Sequence, residues 1–485
     1  MKKNLSILAV FILFHNCGLQ SQQPQQLFTV QQMQTDYDSL RSALEEAHGG
    51  LYRYSDKNEI DRLFDLYRGQ LNHPMTALQF TTIIAELLSG FRDGHLRIEL
   101  DPLSAGNLAK AKLFPLRVLC EGEKLKVLFN DTPADHSVQP GMEIISINGH
   151  TSADLFKSFV SKISGDGFIE TGKRKRAERT FGMLYWICVG QDSVFTVTLK
   201  DDAGKNLVVK LNGVLTADRE KNSAANAVNN VIKRNIEGMQ GAKDNISVRT
   251  LNNNIAVLRI RSFSGENFYS EIDNVFSLVH KQQIRSLILD LRGNGGGVDD
   301  YGAYLVAQFM KQPFRYFDHI RMRSINPSFT KLKQETIENF RNATVADKNG
   351  GYLLTTRLHN GVGEQSPGKN PFTGKLVVLE DGGTFSTAAD VMALLRHLTN
   401  AIFIGEESGG GYEGNTSGSN ARFIFPNSKL ALNINMYDYY NAVKPAKNKG
   451  RGTIPDSPVA LTINDLLKGV DTQWEKALQL AAGEK

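Results

Sequence analysis

Three cysteines in 485 residues cannot build a disulfide-stapled fold. Cys17 lies in an apolar leader, so Cys120 and Cys188 allow one bridge at most, and neither stands in a metal-ligand spacing. No other stretch carries His, Cys, Asp and Glu at metal-ligand intervals, so no metal and no cofactor is expected. Long apolar runs are missing after Phe14, which excludes an integral membrane span. Charge of one sign is also scarce, at a formal +5. The one basic run, KRKRAER at 173–179, lacks interleaved aromatics and reads as a solvated face or loop, so no nucleic-acid partner is expected. What remains is 41% hydrophobic and 22% charged residues, an ordinary globular composition in a chain long enough for two to four domains.

The first residues, MKKNLSILAVFILFHNCGLQSQQ, have two lysines, an apolar stretch from Leu5 to Phe14 and then small polar residues. That is the pattern of a signal peptide over 1–21, with cleavage after Ser21. It predicts export to a periplasm, cell envelope or medium. A lipid anchor at Cys17 is the alternative, in the poor context of Phe14-His15-Asn16.

Residues 22–104 read as helical, with apolar residues at three- and four-residue spacing in DYDSLRSALEEAHGGLYRY and ALQFTTIIAELLSGF. They end in FRDGHLRIEL, where Leu96, Ile98 and Leu100 alternate as in a half-buried strand and His95 occupies the turn before it. Residues 105–214 read as a β-rich module. LFPLRVLCEGEKLKVLFN makes two strands, PGMEIISINGHTSADLFKSFV a turn, strand, tight turn and helix, and DSVFTVTLKDDAGKNLVVKL a hairpin. A polar helical linker fills 215–245. From 246 to 485, buried-strand patterns (NIAVLRI, SLILDLR, KLVVLE, AIFIGE) alternate with helical ones, which predicts an α/β domain with much parallel sheet. The fold class is thus multidomain, α+β and α/β.

Two strand-to-helix corners carry the chemistry. After KLVVLE the chain breaks at Gly382-Gly383 and reaches Ser386 just before a helix. A serine there is ordinarily an N-cap, yet a helix start also offers free N–H groups to an oxyanion. After SLILDLR come Gly293, Asn294 and Gly295–Gly297. A phosphate loop would need Lys-Ser/Thr next, and Val298-Asp299-Asp300 would repel an anion. These glycines suit close approach of backbone N–H groups to a substrate. His397 lies eleven residues along the serine's own helix, about 16 Å away at 1.5 Å per residue. Among the other histidines only His95 has a distinctive setting, at a turn-to-strand boundary.

DLRGNGGG, GGTFSTAADVMALL, IGEESGGG and GRGTIPDSPV, in this order, resemble the C-terminal processing peptidases, serine peptidases related to tricorn protease. FRDGHLRIEL followed by PGMEIISINGHTS resembles their tricorn-like branch, in which a histidine base precedes a PDZ domain. The resemblance implies a crotonase-like α/β core, a PDZ-like module that captures peptide C-termini by strand addition, and a peptide or protein substrate. It implies Ser386 as nucleophile, His95 as general base, and the N–H groups of Thr387 and Gly296 as the oxyanion hole. An unperturbed His95 would give an acid limb near pH 6.5. The relay that would orient the base is missing: Gly94 stands where its serine would, and KNKGRGTIPD has no Glu for its acid. Asp93 and Glu406 are the candidates in its place. A non-catalytic ligand- or peptide-binding protein on the same core is the alternative function, and acyl-CoA chemistry a third that export disfavours.

Overall fold

The computed structural model describes residues 26–133, 135–241, 243–251, 254–447 and 449–483. The expected leader, its cleavage site and Cys17 lie outside the described residues. Three helices come first, Val30–Ala47, Lys57–Gly69 and Ala77–Gly90. Each opens with a capping box, Thr29 with Gln32, Asp56 with Glu59 and Thr76 with Gln79, which satisfies N–H groups that a helix start leaves free. Their apolar faces, including Leu44, Phe64 and Ile84, are buried in the same core as Leu258, Leu289 and Leu432. That core therefore runs across the expected boundaries and ties the start of the chain to its C-terminal half.

Residues 116–212 build a sheet whose order is Asn206–Asn212, Val194–Lys200, Glu143–Ile147, Lys124–Asn130 and Leu116–Glu121, all antiparallel. It encloses a core of its own around Phe114, Phe159, Phe181 and Phe195. One helix packed on this sheet, Thr171–Cys188, corrects the reading of KRKRAER. The basic run is its first half, and Ala177 within it and Phe181, Leu184 and Tyr185 beyond it are buried at three- and four-residue spacing. Packing of that stripe makes the segment a helix, and only part of the run is solvated. Cys120 and Cys188 are both free thiols.

The C-terminal half holds a six-stranded sheet in the order Ile246–Leu251, Ile255–Ile260, Ser286–Asp290, Lys375–Glu380, Ile402–Gly405 and Ser457–Pro458. The first pairing is antiparallel and the others are parallel. Along these strands alternate residues enter two cores: Leu287, Leu289, Leu376 and Val378 one, Ile288, Val377 and Leu379 the other. A sheet apolar on both faces must be covered on both, as parallel sheets generally are. The helix Thr472–Ala482 covers the second face through Ala477 and Ala481. A second sheet, centred on Ala431–Asn441 and Thr416–Ile424, was not among the expected strands. The strand after His95 shrinks to Ile98–Glu99, paired with Ala431 and Leu432 of that sheet. Among the described residues no helix is long and apolar enough to cross a membrane.

Candidate active site

Ser286–Asp290 and Lys375–Glu380 are neighbouring parallel strands, so the turns leaving them meet side by side at the C-terminal edge of the sheet. Open α/β sheets bind ligands at that edge. Asp381 locks the two turns together, its Oδ1 accepting the N–H of Gly293 at 2.8 Å and of Gly383 at 2.9 Å. Thr384 donates its hydroxyl to Leu291 O at 3.0 Å, and Phe385 N–H donates to Asn294 O at 2.9 Å.

Ser386 departs from the ordinary expectation for a serine at a helix start. It makes no side-chain cap to the helix Thr387–Leu398, and its backbone stands at φ 54°, ψ −133°. A non-glycine residue there is strained by about 1–3 kcal/mol. The turn turns the serine hydroxyl out of the helix and toward His95, whose Nε2 lies 3.1 Å from Ser386 Oγ. The histidine arrives from the turn after Ala77–Gly90, where Asp93 Oδ1 accepts its backbone N–H at 2.8 Å. Its ring stacks, tilted 31°, on Phe385 at 4.5 Å between centroids. Burial pushes the imidazole down to about 4, against the attraction of Asp93 and with help from Arg97 and Arg176. Its side chain keeps 19% exposure, so solvent moderates that depression.

Of the two acids considered for orienting the base, Asp93 is adjacent. Its Oδ1 is 3.9 Å from His95 Nδ1, which has no hydrogen-bond partner among the described residues. Asp93 Oδ2 accepts from Asn435 Nδ2 at 3.0 Å and contacts His48 Nε2 at 2.8 Å. Burial works against its charge, but these contacts and His95 hold its carboxyl below the ordinary range. Glu406 instead pairs with Lys175 at 3.5 Å. A second buried acid, Asp166, accepts from Gly94 N–H at 2.7 Å and Gly411 N–H at 3.3 Å. Burial, and then the charge of Asp93, push it up to about 7. Asp93, His95 and Asp166 present ligand atoms within 4.8 Å of one another and could hold a metal ion. Seventy residues separate the last two, so no motif spacing could have signalled the group. Asp93 and Asp166 already accept protein donors, and the Nε2 of His95 faces the serine.

The expected oxyanion donors are both at the corner, in different states. Thr387 N–H has no acceptor among the described residues. Gly296 N–H donates to Asn294 Oδ1 at 2.9 Å, so it is committed to its own turn rather than open to the cleft. Gly296 nevertheless abuts the serine: a Cβ there would lie 2.7 Å from Ser386 Cβ. Residues that the spacing did not single out complete the corner. Thr387 Oγ lies 2.9 Å from Gly297 O and 2.7 Å from Asp299 Oδ1. Asp299 Oδ2 faces His359 Nε2 at 3.2 Å, while His359 Nδ1 accepts Gly361 N–H at 3.1 Å, which leaves the Nε2 proton for Asp299. His397, in the last turn of the serine helix, joins none of these contacts.

The model of peptidase family S41 matches residues 254–459, which hold both corners and not His95. No curated protein matches the chain. Among solved structures, mature CPAF is similar with a TM-score of 0.63 and 14% identity, over 93% of this chain and 97% of that one. The structure of mature CPAF complexed with lactacystin gives 0.64 and 14%, over 93% and 98%. The photosystem II D1 C-terminal processing protease gives 0.42 and 14%, over 93% and 97%. For the two CPAF structures, at 14% identity, the likeness is one of fold.

Proposed function

The chain belongs to peptidase family S41 through residues 254–459, and from that premise we propose that it is an exported serine endopeptidase acting through an acyl-enzyme on Ser386. The observation that carries this reading is the 3.1 Å approach of His95 Nε2 to the hydroxyl of a strained, uncapped serine. His95 takes the Ser386 proton as Oγ attacks a peptide carbonyl, and the carbonyl electrons move to oxygen. Thr387 N–H receives that oxyanion, and Gly296 N–H joins it by leaving Asn294. The intermediate collapses as His95 returns the proton to the departing amine. Water, deprotonated by the same histidine, then frees the acyl group. Asp93 orients His95 by closing on Nδ1, which fixes the proton there and leaves Nε2 basic.

Within the chain we assign 22–104 to the helical region that delivers His95, 105–214 to a PDZ-like module, 215–245 to a linker and 246–485 to the peptidase core. The module takes peptide C-termini on the edge strand Leu116–Glu121. Glu178 now accepts the Cys120 N–H of that edge at 2.8 Å and must give way to an added strand.

A serine-reactive fluorophosphonate tests the chemistry. Labelling of the secreted wild type, lost in Ser386→Ala and strongly slowed in His95→Ala, is expected. Equal labelling of His95→Ala would remove the base from the mechanism.

A further inference from the structure

We propose that Arg97, Arg176 and Arg179 form an anion subsite beside the scissile bond, which takes a carboxylate of the peptide substrate. The inference rests on the placement of Ser386 and His95 described above and names the class of substrate that this site prefers. Gly94, the residue before His95, is ringed by cations. Arg97 reaches its carbonyl with Nε and Nη2 at 3.4 and 3.3 Å, and Arg176 Nη1 with a 3.3 Å contact. The Arg176 guanidinium lies 5.6 Å from the ring centre of Phe385, the same ring that stacks on His95. It is thus one aromatic ring removed from the base, within the reach of a few extended residues at about 3.3 Å each.

Among the described residues, none of these three arginines is ion-paired with a carboxylate, whereas other basic residues of the same helix are occupied. Lys173 meets Glu170 and Lys175 meets Glu178 and Glu406, whereas Arg176 has only backbone carbonyls, Gly94 O and, at 2.8 Å, Ser164 O. The nearest acids have other partners, Asp93 with His48 and Asn435, Asp166 with the Gly94 and Gly411 N–H groups. Burial lowers Arg97 and, with the repulsion of Arg97 and Arg179, pushes Arg176 down to about 10, against the attraction of Asp93 and Asp166. Arg97 and Arg179 are exposed, so a ligand can reach them. A peptide offers two groups that planar guanidinium forks match, an acidic side chain and the terminal α-carboxylate.

The test uses the full chain carrying Ser386→Ala, so that binding is read without turnover. Fluorescent peptides with a Glu or a Gln at each successive position, all amidated, form one series. An all-neutral peptide with a free or amidated C-terminus forms the other. The acidic member is expected to bind about tenfold more tightly, as charge-assisted hydrogen bonds allow. Preference in the first series assigns the subsite to acidic side chains; preference in the second assigns it to the chain terminus. Adding Arg97→Gln or Arg179→Gln should shrink the preference, and Arg97→Lys should restore part of it, with unfolding midpoints showing that each variant is folded. Equal binding within both series, no binding by any acidic peptide, or a preference that survives both Gln variants would overturn the subsite. Failure of the wild type to hydrolyse any peptide would sink the peptidase reading and leave this measurement standing.

Discussion

At Ser386 the backbone carries strain and the side chain declines its usual cap, which frees the hydroxyl for His95. If the two form one proton-transfer unit, Ser386→Ala and His95→Ala should each abolish peptide hydrolysis, and the double variant should be little worse than either. Clearly additive losses would show two independent roles. The pH profile follows from the environment of the base. Only neutral His95 accepts the serine proton, and burial favours the neutral form, so the acid limb of kcat/KM should fall below the unperturbed 6.5, toward about 4. An acid limb above 6.5 would mean that another group titrates. Asp93→Asn should cost kcat about 10²- to 10⁴-fold by loosening the tautomer. Another buried acid bears on stability alone. Glu380 is fully buried, its carboxylate oxygens have no hydrogen-bond partner among the described residues, and burial raises it well above its ordinary value. A carboxyl raised in the folded state favours folding fully below its unfolded value and loses that contribution as pH climbs toward its folded value. Glu380→Gln should therefore gain on the wild type as pH rises from about 4.5, by up to about 1.4 kcal/mol per pH unit. A difference in unfolding free energy that stays flat between pH 5 and 8 would contradict this.

At the scale of elements, the site is two turns leaving adjacent parallel strands, bound to each other by Asp381, Thr384 and Thr387. Gly296 has φ 98°, and a methyl group there would also meet Phe385 O and Thr387 N at 2.9 Å. Gly296→Ala should therefore push the turns apart and remove most activity, since a misplacement of about 1 Å can cost about 10²-fold. Asp299→Asn loosens the same join more gently, through Thr387. It should lower kcat about tenfold with little change in KM, because the affected donor matters most once the oxyanion forms. A change confined to KM would place Asp299 in substrate binding instead. These turns could be located from sequence because glycine runs and an abrupt end to apolar strands are local signals. Gly296 was singled out from that run only through the family resemblance, and nothing in the sequence told that Asn294 holds its N–H, since that bond depends on the fold of the turn. The long-range partners were invisible for a different reason. His48, Asp166, Asp299 and His359 come from distant segments with no shared spacing. The basic run was misread because its charges masked the apolar stripe beginning at Ala177.

The whole molecule is arranged around a unit whose two ends meet. Lys112-Leu113 enters the β-rich sheet region and Val214-Leu215 leaves it, and these dipeptides pair antiparallel, Leu113 with Val214 and Lys112 with Leu215. Paired Cα atoms in such a ladder are about 4.5–5.5 Å apart, so the chain departs from almost where it arrived. Between them lies a core of fully buried Phe114, Phe159, Phe181, Phe195 and their neighbours, separate from the one that joins the first three helices to the C-terminal sheets. A piece of about 100 residues with its own core and adjacent ends is a domain-sized folding unit. Residues 111–216 expressed alone should thus unfold cooperatively and show dispersed amide signals. The start of Thr171–Cys188 should fray in that fragment, because Thr171 loses Glu407 O, its acceptor at 2.9 Å, and Gly172 loses the backbone of Gly409. The complementary deletion, with Ala111 and Thr216 rejoined by a short glycine linker, should keep the C-terminal sheets and lose peptide hydrolysis. It lacks Asp166, which holds Gly94 and Gly411, and Arg176, which lies over Phe385. A fragment that stays disordered would make this unit dependent on the peptidase core. A deletion variant that cleaves peptides as fast as the full chain would show that the inserted unit does not build the catalytic corner.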